Sequence, residues 1–187
     1  MDYAYYRSQP DETLILHLAE GDLSALNEIM NRYQRKIAKF VYNYLNDYDE
    51  ACDATQDVFF NAFKHRKSFR KNARLNTWLY AIARNRCLNV LRSRRRHPAM
   101  PIEHVPENDA ALSDNTSIDD VVANREMLSE LKKALGKLPT KYRDIVILRE
   151  FEGLSYKEIS RIINVKESTL RVRMGYALDC IQKMLKK

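Results

Sequence analysis

The sequence predicts an all-α protein of two small helical domains joined by an acidic flexible linker, and three observations carry that expectation. Its 187 residues include only 4 Gly and 5 Pro. Three of those prolines, Pro98, Pro101 and Pro106, fall in one short stretch, so few breakers remain to interrupt helices elsewhere. Outside that stretch apolar residues recur at three- and four-residue spacing, with no alternating run of the kind a strand needs. Between His97 and Asn124 the chain carries six acids, Glu103, Glu107, Asp109, Asp114, Asp119 and Asp120, and no Lys or Arg, which is the composition of an extended solvated connector. The expected division is therefore 1–96 for the first domain, 97–124 for the linker and 125–187 for the second domain. A hydrophobic content of 45% is enough to give both domains a packed core.

In the first domain, Asp11 to Glu20 reads as a helix with acids in its first turn, where the macrodipole favours them, and with Leu14, Leu18 and Ala19 at helical spacing. Asp22 or Ser24 opens the next, whose Leu26, Met30, Tyr33, Ile37, Phe40, Val41 and Leu45 form one apolar stripe. A third helix is expected over roughly Glu50 to His65. A fourth is expected over Thr77 to Arg95, with Leu79, Ile82, Ala83, Cys87 and Val90 along one face. The Tyr-rich start, MDYAYYRSQP, fits none of these stripes and defaults to a surface or disordered tail.

The second domain opens with a helix near Val122 to Leu135, on which Met127, Leu128, Leu131 and Leu135 share a face. Gly136 and the turn Leu138-Pro139 end it, and Pro139 suits the start of the helix that runs to Gly153. Ser155 with Glu158 three residues on forms a capping box for SYKEISRIIN. A last helix is expected from about Glu167 to Leu185.

The charge distribution narrows the function. The first domain carries seventeen Lys or Arg against eleven acids, and the second fifteen against eight, within a formal net charge of +7. Both folded parts thus favour a polyanionic partner, whereas the connector does not. That connector is either a solubility device or a segment suited to a basic channel in a partner. Cys52, Cys87 and Cys180 are far apart without metal-ligand spacing and read as buried small hydrophobes in a reducing compartment. No P-loop, metal or cofactor motif occurs, and His17, His65, His97 and His104 lack a Cys or carboxylate constellation. No catalytic residues, metal, cofactor or small-molecule substrate are therefore expected. Nowhere do eighteen apolar residues run together, so direct membrane insertion is not expected and a cytoplasmic location is.

Two segments have the chemistry of nucleic-acid contact. Helices flanking the turn Asn164-Val165-Lys166 fit a helix-turn-helix. In its second helix Leu170, Met174 and Ala177 face inward, while Lys166, Ser168, Thr169, Arg171 and Arg173 point outward with side chains suited to phosphates and base edges. A plain helical hairpin with a polar face has the same periodicity. Between Lys64 and Arg96 lie twelve Lys or Arg and no acid, interleaved with Phe69, Trp78 and Tyr80. Cations that neutralise a backbone beside aromatic platforms for bases suit a single strand. Trp78 fits a core anchor as well as a base contact, and Arg92 to Arg96 fit phosphate clamps. On the third helix Asp53, Gln56, Asp57 and Phe60 fall at i, i+3, i+4 and i+7, an acidic face with one aromatic, while Val58, Phe59, Ala62 and Phe63 form a face that can be buried. That acidic face fits either a protein contact or solvent.

The segments DATQDVFFNAFKH at 53–65, TWLYAIARNRCLNVLRSRRR at 77–96 and LPTKYRDIVILREFEGLSYKEISRIINVKESTLRVRM at 138–174 together resemble bacterial RNA polymerase sigma factors of the small extracytoplasmic-function (ECF) group. The last block alone is also similar to stand-alone LuxR-like helix-turn-helix regulators. The resemblance implies a subunit that binds core polymerase and directs initiation, reading a −10 element in the first domain and a −35 element in the second. It implies core-polymerase binding at Asp53, Gln56, Asp57 and Phe60. It implies −10 contacts at Phe69, Arg70, Lys71, Asn72, Arg74, Asn76, Trp78, Arg84, Asn85, Asn89 and Arg92, and −35 contacts at Lys166, Ser168, Thr169, Arg171 and Arg173. Lys166 departs from the Ser or Pro expected there, which leaves the N-cap of the recognition helix open. The implied partners are the largest subunits of core polymerase, promoter DNA and an anti-sigma factor, with the linker threaded through a polymerase channel.

Overall fold

The computed structural model describes residues 3–69, 74–97 and 118–186, and those residues are helical apart from short turns. Helices α1 (Tyr3–Ser8), α2 (Asp11–Glu20), α3 (Leu23–Leu45), α4 (Tyr48–Lys64) and α5 (Leu75–Arg96) form the first region. Helices α6 (Ile118–Lys137), α7 (Thr140–Val146), α8 (Tyr156–Ile163) and α9 (Glu167–Leu185) form the second. Residues 98–117 of the expected linker lie outside the described residues, and its last seven, 118–124, already belong to α6.

The first region is a bundle in which α3, α4 and α5 pack on one another, with α2 laid across α3. Leu14, Leu18, Ile29, Ile37, Phe40, Val58 and Leu79 are fully buried at its centre, and burial of side chains this large contributes about 1.5–3 kcal/mol each. The local signals act where they should. Asp22 accepts from the Ser24 amide to cap α3, and Asp47 accepts from the Glu50 amide to cap α4, each satisfying an amide that the helix start leaves free. Gly21, at φ 95, closes α2 with a left-handed residue that returns its amide to carbonyls of the last turn.

Three expectations change here. The Tyr-rich start is not a loose tail: its residues from Tyr3 to Ser8 form α1, and the Tyr6 ring is fully buried. The Tyr6 hydroxyl donates to Asp22, while Arg32 donates to the carbonyls of Tyr6 and Arg7 at 3.1 Å and to Asp11 at 3.1 Å. One guanidinium, with five donors in a fixed fork, thereby ties α1 and α2 to α3. Of the three cysteines only Cys87 is buried, with burial pushing its thiol up to about 12; Cys52 is exposed and Cys180 intermediate. Met127, placed by spacing on an apolar face, is exposed, because α6 presents Ala134 and Leu135 of its last turn to the core instead.

In the second region Arg143 is buried and donates to the carbonyls of Leu135, Gly136 and Leu138. A helix end needs partners for its last carbonyls, and here a side chain from α7 supplies them, fixing α6 against α7. Burial holds the Arg143 guanidinium below its ordinary range, which the carbonyl partners and the Tyr44 ring, 5.7 Å away, offset. Helix α7 runs into a π-helical turn at Ile147–Phe151, closed by the Glu152 amide on the Ile147 carbonyl at 3.1 Å. The extra residue in that turn keeps Ile147 and Leu148 inward and shifts the chain leading into α8. Pro139 is the N-cap of α7 and not its first helical residue.

Candidate nucleic-acid interface

The helix-turn-helix is built from α8, a left-handed Asn164 at φ 55, and α9. The capping box is complete: Ser155 accepts from the Glu158 amide and Glu158 accepts from the Ser155 amide at 2.9 Å. The Ser155 hydroxyl, which also donates to Glu158 at 2.7 Å, and the Ser155 amide hold the Glu158 carboxyl below its ordinary range. Ile159, Ile162, Leu170, Met174 and Ala177 face inward, so the two helices meet across an apolar seam. Lys166 is the N-cap of α9 and makes no side-chain cap bond, which resolves the question its identity raised.

The outward residues of α9 lie as the spacing predicts. Lys166, Ser168 and Arg171 are exposed and Thr169 and Arg173 partly so. The Arg171 guanidinium lies 4.7 Å from the Tyr156 ring and 3.8 Å from Glu167. Both contacts are weak at such exposure, and they pre-orient the side chain without covering it.

The first region's candidate residues are arranged differently. Arg70, Lys71 and Asn72 lie outside the described residues. Phe69 packs edge-on against Trp78 with ring centroids 5.3 Å apart, and both rings are half-buried against the core; Trp78 is thus a packing residue with one accessible edge. Asn85, Asn89 and Arg92 are exposed along α5, with Arg92 donating to Asn89 at 3.2 Å. Arg94 is occupied: it donates to Glu50 at 2.9 Å and to the Leu45 carbonyl at 3.1 Å, so it fastens α5 to the α3–α4 corner and is not available as a phosphate clamp. Arg74 pairs with Glu158 at 3.0 Å and Arg84 with Asp144 at 2.6 Å, both acids of the second region. Asn76 accepts from the Thr77 hydroxyl at 3.1 Å.

On α4 the buried and exposed faces separate as the periodicity predicts. Val58, Phe59 and Ala62 are buried, while Asp53, Gln56 and Phe60 stand in solvent, Phe60 at 65% exposure. A phenyl ring left that open beside carboxylates fits a surface that another protein covers. Asp57, on the same face, is tied to Arg86 at 2.6 Å.

Comparison with known proteins agrees with this geometry. Residues 29–97 match the model of Sigma-70 region 2, and residues 128–181 that of Sigma-70, region 4. The chain is 32% identical over 184 residues to the RNA polymerase sigma-H factor of Pseudomonas aeruginosa, covering 95% of this chain and 94% of that one. The chain belongs to the RNA polymerase sigma factors. Within them it is of the ECF type: it is 35% identical over 179 residues to the ECF RNA polymerase sigma-E factor of Haemophilus influenzae, covering 92% and 93% of the two chains. Among solved structures, CnrH in complex with the cytosolic domain of CnrY shares the fold at a TM-score of 0.71, with 21% identity over 94% of this chain and 97% of that one. The sigma factor RpoE of Bartonella quintana, in complex with the anti-sigma factor NepR, aligns at 0.67, with 26% identity over 86% and 96%.

Three features of this sigma factor escape sequence reasoning. Asp144 is buried between the regions, Tyr44 reaches it from α3 at 2.5 Å, and Glu152 accepts from the Tyr80 hydroxyl at 2.6 Å. The one signal that could have found Asp144 is a lone carboxylate beside the apolar run IVIL, since a buried acid demands partners. Among the described residues no group of three or more His, Cys, Asp or Glu could hold a metal, and no helix is long and apolar enough to cross a membrane.

Proposed function

We propose that this ECF sigma factor docks on core polymerase through the α4 face of Asp53, Gln56, Asp57 and Phe60 and reads promoter DNA with two separate surfaces. The units are residues 1–96 and 125–187, joined by the linker 97–124. The first takes the unwound −10 strand along Phe69, Arg70, Lys71, Asn72, Arg74, Asn76, Trp78, Arg84, Asn85, Asn89 and Arg92. The second reads the −35 duplex with Lys166, Ser168, Thr169, Arg171 and Arg173. Cations along an exposed helix next to accessible aromatic edges bind a backbone and stack bases. Strand opening is then driven by base capture and polymerase contacts, not by a reaction in this chain. The factor acts in the cytoplasm under an anti-sigma protein. The relatives found in complex with CnrY and NepR support that control.

The observation that carries the reading is the pairing of an exposed stretch of the recognition face, Lys166, Ser168 and Arg171, with an exposed Phe60 on α4. A stand-alone LuxR-like regulator would use the first and have no need of the second. Run-off transcription with bacterial core polymerase on a pool of genomic fragments tests it. New transcript starts preceded by a shared two-part motif are expected. A folded, inhibitor-free chain that neither binds core nor adds a start would leave the stand-alone regulator as the better reading.

A further inference from the structure

The two regions share one apolar core cluster, and polar groups pin them together within it. Asp144 of α7 is 1% exposed and is held from two sides by the first region: the Tyr44 hydroxyl donates to one carboxylate oxygen at 2.5 Å and Arg84 to the other at 2.6 Å. Just beyond the π-helical turn, Glu152 accepts from the Tyr80 hydroxyl at 2.6 Å. At the margin Arg74 reaches Glu158, a surface pair worth little by itself. The centre of the contact is therefore one buried carboxylate with a guanidinium and a phenol on it.

Beside that contact lies a cleft of about 360 Å³ lined by Arg84, Arg92 and Arg95 of α5, Lys141 next to α7's start, and Arg173 of α9. Its one acidic lining residue is Asp144. Five cations around a single carboxylate repel one another, so that carboxylate is the counter-charge that lets the apolar contact of Leu88 and Leu91 with Ile163 and Val165 stay closed. A space of this size leaves no room for a DNA duplex between α5 and the cleft-facing side of Arg173 while the regions are together. Nor is the closed interface fully satisfied: Arg84 Nε and Glu152 Oε1 are buried without a hydrogen-bond partner among the described residues. Each such atom costs desolvation that no bond returns, which makes the contact specific yet reversible.

We propose that Asp144, supported by Glu152, is an internal latch that docks the second region onto the first and withholds Arg84 and the cleft-facing side of Arg173 from nucleic acid. The withheld residues are those of the proposed function, on which the inference rests. The latch itself concerns only how this chain folds on itself. Phosphates are the natural competitor, because a nucleic-acid backbone supplies the cleft's cations with the counter-charge that Asp144 supplies in the closed chain.

The test uses the full chain without polymerase, with small-angle scattering for compactness and the anisotropy of a labelled mixed-sequence single-stranded oligonucleotide for access. The closed chain should scatter as a compact particle with a radius of gyration of roughly 16 Å. Asp144→Ala removes a group whose partners lie in the other region, so helix content should hold. Loss of one member of a buried pair should move the closed-to-open ratio by roughly a hundredfold, with a larger radius and tighter oligonucleotide binding. Tyr44→Phe, which changes no charge, should shift both readouts the same way by less. Glu150→Ala, which removes an equal charge from an exposed site, should leave the radius unchanged. An extended wild-type chain, a radius that neither Asp144→Ala nor Tyr44→Phe alters, or opening without gain in oligonucleotide binding would each overturn the latch. Run-off transcription separates the two readings: opening variants of a chain that never supports initiation sink the proposed function and leave the latch standing.

Discussion

The α9 face and the α5 face carry similar cations but meet solvent in different ways. On α9 the carboxylate nearest Arg171 is Glu167, 3.8 Å away on the same helix, and Ser168 and Lys166 are open. On α5 and its approach, Arg74, Arg84, Arg86 and Arg94 are each held by a carboxylate from another element. Charge counting treats these faces alike, since a guanidinium contributes the same unit to a sum wherever its counter-ion sits. Structure divides them into a face that is ready and a face that is conditional.

The harshest way to break that contrast is to collapse the ready face. Leu170→Ala empties a fully buried position at the start of α9 and should cost about 2–5 kcal/mol. Thermal unfolding should show the loss, and duplex binding should fall with it while single-strand binding by the first region persists. Equal loss of both would mean that the faces are not independent.

Arg171→Ala sharpens the contrast with a smaller step. It should weaken binding of the preferred duplex by about 1–3 kcal/mol, or reduce the salt dependence by roughly one counter-ion if the contact is to phosphate. The melting temperature should not move, because the side chain is exposed. A lowered melting point would instead make Arg171 part of the fold through Tyr156.

Ser155→Ala removes the capping box that orients α8 and should cost about 1 kcal/mol, read as a shift of a few degrees in thermal denaturation. The effect belongs to the second region alone.

The least disruptive probe is pH. Burial holds Glu152 above the ordinary glutamate range, only partly offset by the Tyr80 hydrogen bond and by Lys39 and Lys36. Its proton is therefore bound more tightly when the regions are together. Closure should strengthen as pH falls through that raised value and gain no more below the ordinary one. Glu158 has the opposite sign: held low by the Ser155 bonds, it contributes stability above the ordinary glutamate value and loses it as pH falls through its own. Of these two carboxylates only Glu152 should act between neutral pH and about 5, and energy transfer between labels on the two regions should rise slightly. A fall in that window would place the controlling proton elsewhere.

Much of this architecture was legible in the residues because the signals were local. The 3-4 stripe of α3, the Ser155–Glu158 box and the inward Leu170, Met174 and Ala177 each need only a few neighbours to be read. What escaped depends on partners distant in the chain. Tyr6 is buried through Asp22, sixteen residues on, and Asp144 through Tyr44, one hundred residues away; no periodicity encodes either. Arg94 read as a phosphate clamp because Glu50, its partner, stands forty-four residues earlier. Met127 failed for a simpler reason: spacing groups residues on one face of a helix without saying which turns of that face reach the core.

The carboxylates that close the chain stand on α7 and just past the π-helical turn, and none of the outward residues of α9 shares in their bonds. Address and readiness are thus set by different residues, although Arg173 borders both. Drift at Asp144 or Glu152 can reset the threshold at which such a factor responds while its gene set stays the same, and an engineer wanting a more eager version has no need to touch the helix that chooses the targets.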